Sequence, residues 1–268
     1  MSAYARAAWG VLRRDLVTVG PWAWPIGWLD AGLSVTLWFF VTRVAGVVRP
    51  LGVGLPTDYF TFSLIGLALS QYAWHGFSAF NSRIKGDLAS GVLEALWLAR
   101  YPLPFLIALS GLTNMLTGTV NAGLILIIGT YGFGAQLRGL AIVSILGIGM
   151  LTAVAMGALG LLSASWAIAW GRGEVLQPLL NKVVPILSGA FFPITLFPSW
   201  AQALARCVPL THALALARGL TTREPSGIMV EQEVASLLVL TILLVAVGLG
   251  SLHLAIDHAR LSGRLATG

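Results

Sequence analysis

Residues 140–166, LAIVSILGIGMLTAVAMGALGLLSASW, hold no aspartate, glutamate, lysine or arginine. A membrane-crossing helix needs about 20 mostly apolar residues, because each residue rises about 1.5 Å across a hydrocarbon core about 30 Å thick. This run clears that length with residues to spare. Comparable windows lie at Pro21 to Gly46, Asp58 to Phe80, Pro104 to Tyr131, Leu176 to Phe192 and Val234 to Ile256. Barrel strands would alternate over segments of about 10 residues, whereas these runs are continuous. The expected fold is therefore all-α, a polytopic membrane protein of six transmembrane helices.

Composition agrees. Hydrophobic residues make up 57% of the 268 and charged residues 10%, against about 45–50% and about 25% in soluble domains. Lys and Arg favour cytoplasmic loops. With the N-terminus inside, the inner segments hold Arg6, Arg13, Arg14, Arg83, Lys85, Arg100, Arg172, Lys182, Arg260 and Arg264. Arg43, Arg49, Arg138, Arg206, Arg218 and Arg223 fall outside, three of them in the longest outer loop. Both termini are thus expected to be cytoplasmic. The pI near 10.1 reads as topology and contact with anionic membrane lipids, with no nucleic-acid partner.

The start, MSAYARAAWGVLRRD, places Arg13 and Arg14 after its apolar residues, unlike a cleavable signal. Tyr4, Ala8, Val11, Leu12, Leu16 and Val19 share one helical face, so residues 1–20 read as an amphipathic helix lying in the interface. The bundle then takes 21–256 and a cytoplasmic tail 257–268. Trp22, Trp24 and Trp28 form an aromatic belt at the first span. Asp30, just inside, either faces the protein interior or a wet cleft, or snorkels to the interface.

The inner segment NSRIKGDLASGVLEALWLARYPLP reads as a short helix parallel to the membrane, followed by one entering the third span. The region PILSGAFFPITLFPSWAQALARCVPLTHALALARGL is too long for one span and is punctuated by Pro185, Gly189, Pro193, Pro198 and Pro209. It reads as a span ending near Phe192 and two short helices, about Ser199 to Cys207 and Thr211 to Leu220. These either re-enter the outer leaflet or form an ordinary outer loop. The polar stretch TTREPSGIMVEQE follows outside, with the sixth span starting after Glu233.

Several chemistries are excluded. Lys85 and Lys182 are the only lysines and neither follows a glycine-rich phosphate loop, so the chain does not hydrolyse nucleotide by itself. His75, His212, His253 and His258 show no metal-ligand spacing and read as polar packing or interface residues. Cys207, the single cysteine, reads as a small packing residue. A serine protease built on Ser188-Gly189 and His253 lacks the glycine two residues before the serine, where Ile186 stands.

Two stretches carry a family resemblance. Gly91, Leu93 and Glu94 match a glycine-x-leucine-glutamate motif. Ser188, Gly189, Phe192, Pro193, Pro198, Pro209, Leu210 and Thr211, followed by Arg218, match a second series. With the six windows, these make the chain resemble the type-2 ABC transporter permeases, membrane subunits of bacterial and archaeal exporters with the architecture of class G half-transporters. Val92 and Arg100-Tyr101-Pro102 depart from residues common in that family.

The resemblance implies a prokaryotic inner-membrane subunit paired with a second permease copy or paralogue and served by two ABC ATPase subunits. ATP and Mg2+ would then belong to those partners, with no metal or catalytic residue here. It implies a coupling helix around Arg83, Lys85, Asp87, Gly91 and Glu94. Asp30, Gln71, Tyr72, His75 and Asn181 are the implied substrate path, and Gly189, Phe192, Pro193, Pro198, Pro209 and Thr211 the implied outer gate. An ion-gradient-driven secondary transporter and a non-transporting membrane scaffold are the alternatives. The first would want paired intramembrane acids, and Asp30 stands nearly alone.

Overall fold

A computed structural model describes residues 25–44, 58–89, 103–170, 176–221 and 227–261. Among these the chain is helical, with no strand. Its elements are α1 (Pro25–Val44), α2 (Tyr59–Ala89), α3 (Leu103–Ile127, closed by a π turn, Ile128–Gly132) and α4 (Gly139–Trp170). They continue with α5 (Leu176–Leu187), a 3-10 turn (Ile194–Leu196), α6 (Ser199–Arg206), α7 (Pro209–Gly219) and α8 (Gly227–Leu261). The interfacial helix expected over residues 1–20 and the polar stretch 222–226 lie outside the described residues.

Among the described residues, four helices are long and apolar enough to cross a membrane: Pro25–Val44, Gly111–Gly132, Gly139–Trp166 and Val230–Ala255. Within these windows 39% of the α4 residues are buried but only 17% in α1 and α8, so α4 is central and the other two peripheral. α2 has the length of a span but carries Ser63, Ser70, Gln71, His75 and Ser78, a load tolerable because α3, α4 and α7 pack around it. Leu64, Ile65, Ala68, Leu69 and Tyr72 on α2 have no exposed surface and form the centre of the core.

Small residues let these helices approach, because lipid tails offer no hydrophobic drive between apolar helices and close packing must substitute for it. A β-carbon at Gly76 would fall 2.5 Å from the Ala153 carbonyl oxygen, and one at Gly160 2.5 Å from that of Phe77. The α2 to α4 interface is thus backbone against backbone. At the start of α2, Asp58 caps the helix by accepting from the Thr61 N–H at 3.2 Å and from the Thr61 hydroxyl. That hydroxyl also accepts from the Gln136 N–H at 3.0 Å, tying the α3–α4 connection to the same end.

Three expected boundaries are corrected. The fifth helix ends at Leu187, five residues before Phe192, because the chain closes a left-handed C-terminal turn there. Gly189 has φ +79, its N–H donates to Ile186 O at 3.1 Å, and Ala190 N–H donates to Pro185 O at 3.0 Å. The last helix begins at Gly227 rather than after Glu233. Glu231 and Glu233, which end the polar stretch in the sequence, belong to its second turn. Finally, α2 continues unbroken to Ala89, so residues 82–89 extend the second helix instead of forming a separate helix parallel to the membrane.

Candidate functional site: a clamped chain break at one end of the bundle

Between α5 and α6 the chain runs without regular helix from Ser188 to Pro193, and its carbonyls need donors from elsewhere. Arg218, near the end of α7, supplies two of them. Its Nη1 donates to Gly189 O at 3.0 Å, and its Nη2 donates to Ala190 O at 2.8 Å and to Phe62 O on α2 at 3.3 Å. The guanidinium lies over the Phe62 ring, 3.4 Å from its centroid. The guanidinium is a cation, since arginine keeps its proton in proteins. Hydrogen bonds from charged donors contribute about 1.5–3 kcal/mol each, so this one side chain governs the conformation of the break.

The same segment is held from other directions. The Tyr59 hydroxyl donates to Phe191 O at 2.9 Å. Trp38 of α1 stacks on the Phe191 ring, with centroids 4.2 Å apart. The break sits on the α2 backbone at Gly66, where a β-carbon would come within 1.9 Å of Ala190 O.

All six expected gate residues belong to this unit. Gly189 takes the positive φ, and a β-carbon there would meet Ile194 Cγ2 at 2.6 Å. Phe192 is exposed. Pro193 starts the 3-10 turn, and the Pro198 carbonyl accepts from the Ala201 and Gln202 N–H groups at the head of α6. Pro209 opens α7, where its missing N–H is harmless. The Thr211 hydroxyl donates to Ala205 O at 2.6 Å, joining α7 to α6. His212 then ties the hairpin to α8, with Nδ1 2.6 Å from Glu233 Oε2 and Nε2 2.8 Å from Arg206 O.

The five expected path residues are not gathered. Asp30 is exposed on α1, Gln71 half-buried on α2, and Asn181 half-buried on α5. Tyr72 is fully buried and donates to Leu146 O of α4 at 3.2 Å. His75 meets Asn121 of α3, Nε2 to Nδ2, at 3.2 Å. No hydrogen bond joins any two of the five. Of the expected coupling residues, Arg83, Lys85 and Asp87 fall on the last two turns of the α2 backbone, whereas Gly91 and Glu94 lie outside the described residues.

Two readings change. Arg218 is an enclosed clamp rather than an outer-loop charge. Cys207 is exposed at the end of α6, not packed in the core. The serine and histidine considered for proteolysis serve other ends: the Ser188 hydroxyl donates to Pro185 O at 3.1 Å. His253 lies about 30 Å along α8 from Glu233, at the axial rise of a helix. Sequence reasoning missed the roles of Tyr59, Gly66 and Trp38. An arginine within the apolar run LTHALALARGL was the available signal, since a lone charge there needs a partner.

A multi-pass helical bundle with a clamped, proline-punctuated hairpin before its last helix defines a class of membrane permease. The ABC-2 type transporter family model matches residues 26–221, and the chain belongs to that family. No curated protein matches the chain in sequence. It is accordingly a transmembrane permease component of a transporter.

Proposed function

We propose that this chain is the membrane subunit of an ATP-driven exporter, working as a dimer with a second permease copy or paralogue and powered by two separate ABC ATPase subunits. The observation that carries this is the family match over residues 26–221 on a chain with no phosphate loop of its own. In this reading α2 and α5 complete six spans in a prokaryotic cell membrane, with both termini cytoplasmic. ATP and Mg2+ bind the partner subunits.

The charged inner end of α2, with Arg83, Lys85 and Asp87, together with Gly91 and Glu94 further along the sequence, is the ATPase-docking segment. The α6–α7 hairpin re-enters the outer leaflet as a gate. Its depth there is supported by the clamp, since irregular backbone survives at membrane depth only where protein satisfies its polar groups. Asp30, Gln71, His75 and Asn181 keep side-chain surface for a substrate path, while Tyr72, fully buried, sets the spacing of α2 from α4.

Affinity purification from the native membrane tests the reading. The tagged chain is expected to bring down an ABC ATPase and hydrolyse ATP in that complex, whereas the chain alone does not. Combining Arg83→Glu, Lys85→Glu and Asp87→Lys is expected to release the ATPase and leave the permease folded. An intact complex with unchanged hydrolysis would remove the docking assignment, and absence of any ATPase would remove the exporter reading.

A further inference from the structure

The hairpin formed by α6 and α7 has two anchors of different kinds. One is the His212 to Glu233 contact with α8. The other is the clamp on α2, where Arg218 reaches Phe62, 156 residues away in sequence. Within the hairpin the Thr211 to Ala205 bond keeps the two short helices together, so the hairpin follows whichever anchor moves it. On the α2 side the contact is stiff. Ala190 O lies where a Gly66 β-carbon would be, and the guanidinium engages carbonyls of both partners while lying on the Phe62 ring. α2 itself is a single helix of 31 residues without a proline, about 46 Å long at the usual rise. Packed helices of that kind move as rigid bodies between discrete arrangements.

We propose that Arg218 is the positioning residue that transmits displacement of α2 to the α6–α7 hairpin, so that one end of the bundle opens or closes with the other. The proposal rests on the reading above that the inner end of α2 receives the ATPase stroke. With the clamp weakened, the hairpin keeps only its packing on α2 and the Tyr59 bond to Phe191 O, while the His212 contact still holds it to α8, so it follows α2 less closely. Lysine is not an adequate substitute, since an ammonium lacks the planar fork that engages two carbonyl groups at once and stacks on an aromatic ring.

The test measures distances at both ends of the assembled permease and ATPase complex in nanodiscs. In a Cys207→Ser background, nitroxide labels are placed at Ser199→Cys on α6 or at Ser82→Cys near the inner end of α2. The distance between the two permease copies is read with ADP and with ATP plus orthovanadate. Both pairs are expected to shift between nucleotide states in the parent protein. In Arg218→Lys the inner shift is expected to persist and the outer shift to fall by more than half. Gly66→Ala attacks the same contact from α2 and is expected to dissociate the two shifts in the same way.

An undiminished outer shift in an assembled Arg218→Lys or Gly66→Ala complex would overturn the relay. So would loss of assembly in both, which would assign the clamp to folding alone. A parent protein whose inner pair does not move would instead overturn the ATPase-coupling reading, and the relay with it.

Discussion

Gly189 and Arg218 divide one task between them, the first shaping the chain break and the second satisfying it. A β-carbon at Gly189 faces both the positive φ and the nearby Ile194 methyl group. Gly189→Ala is therefore expected to lower stability by at least about 1–2 kcal/mol, the usual cost of a left-handed non-glycine residue. Thermal unfolding of the detergent-extracted chain reads it, and an unchanged midpoint would contradict the turn. Gly189 was legible in the sequence because serine-glycine before a proline series is a turn signal. Arg218 was legible as a charge and as the end of the family series, but not as a clamp. Its acceptors are main-chain carbonyls of Gly189, Ala190 and Phe62, groups that every residue carries and no residue type advertises.

Among the described residues helix identity was readable, and helix ends were not. Ala190, Phe191 and Phe192 continue the apolar run past Leu187, so hydropathy extends α5 through a turn that only backbone conformation defines. The charged end of α2 misled in the opposite sense. The rise in polarity there reads as a separate helix parallel to the membrane, yet residues 82–89 prolong α2 itself. Packing between elements gives a sharper test than their ends. Gly76→Val drives a branched side chain into the Ala153 carbonyl and is expected to cost on the order of 1–3 kcal/mol by overpacking. Gly147→Ala, on the same α4 but with open space before it, is expected to be neutral or to stabilise by up to about 1 kcal/mol. Equal unfolding midpoints for the two variants would argue against backbone contact between α2 and α4. Asp58→Ala is expected to cost about 1 kcal/mol by removing the cap of α2, measured the same way.

The bulk composition determined the solvent of the whole molecule, but hydropathy alone undercounts helices enclosed by protein. α2 illustrates why: its polar residues are tolerable because other helices, not lipid, surround most of it. Membrane orientation follows from labelling in the Cys207→Ser background. Single cysteines at Ser82 and Ser262 are expected to react with an impermeant maleimide from the cytoplasmic side only, and one at Ser226 from outside only. The reverse pattern would invert the topology. The clamp also has a consequence for biogenesis. Ala190 and Arg218 are separated by 28 positions, so at about 5–20 residues per second the ribosome needs roughly 1–6 s between them. During that interval the break at Gly189 and Ala190, once made, has no cation for its carbonyls. A nascent chain truncated before Arg218 would thus display the same defect indefinitely, a distinction that membrane quality control could use to separate unfinished subunits from complete ones.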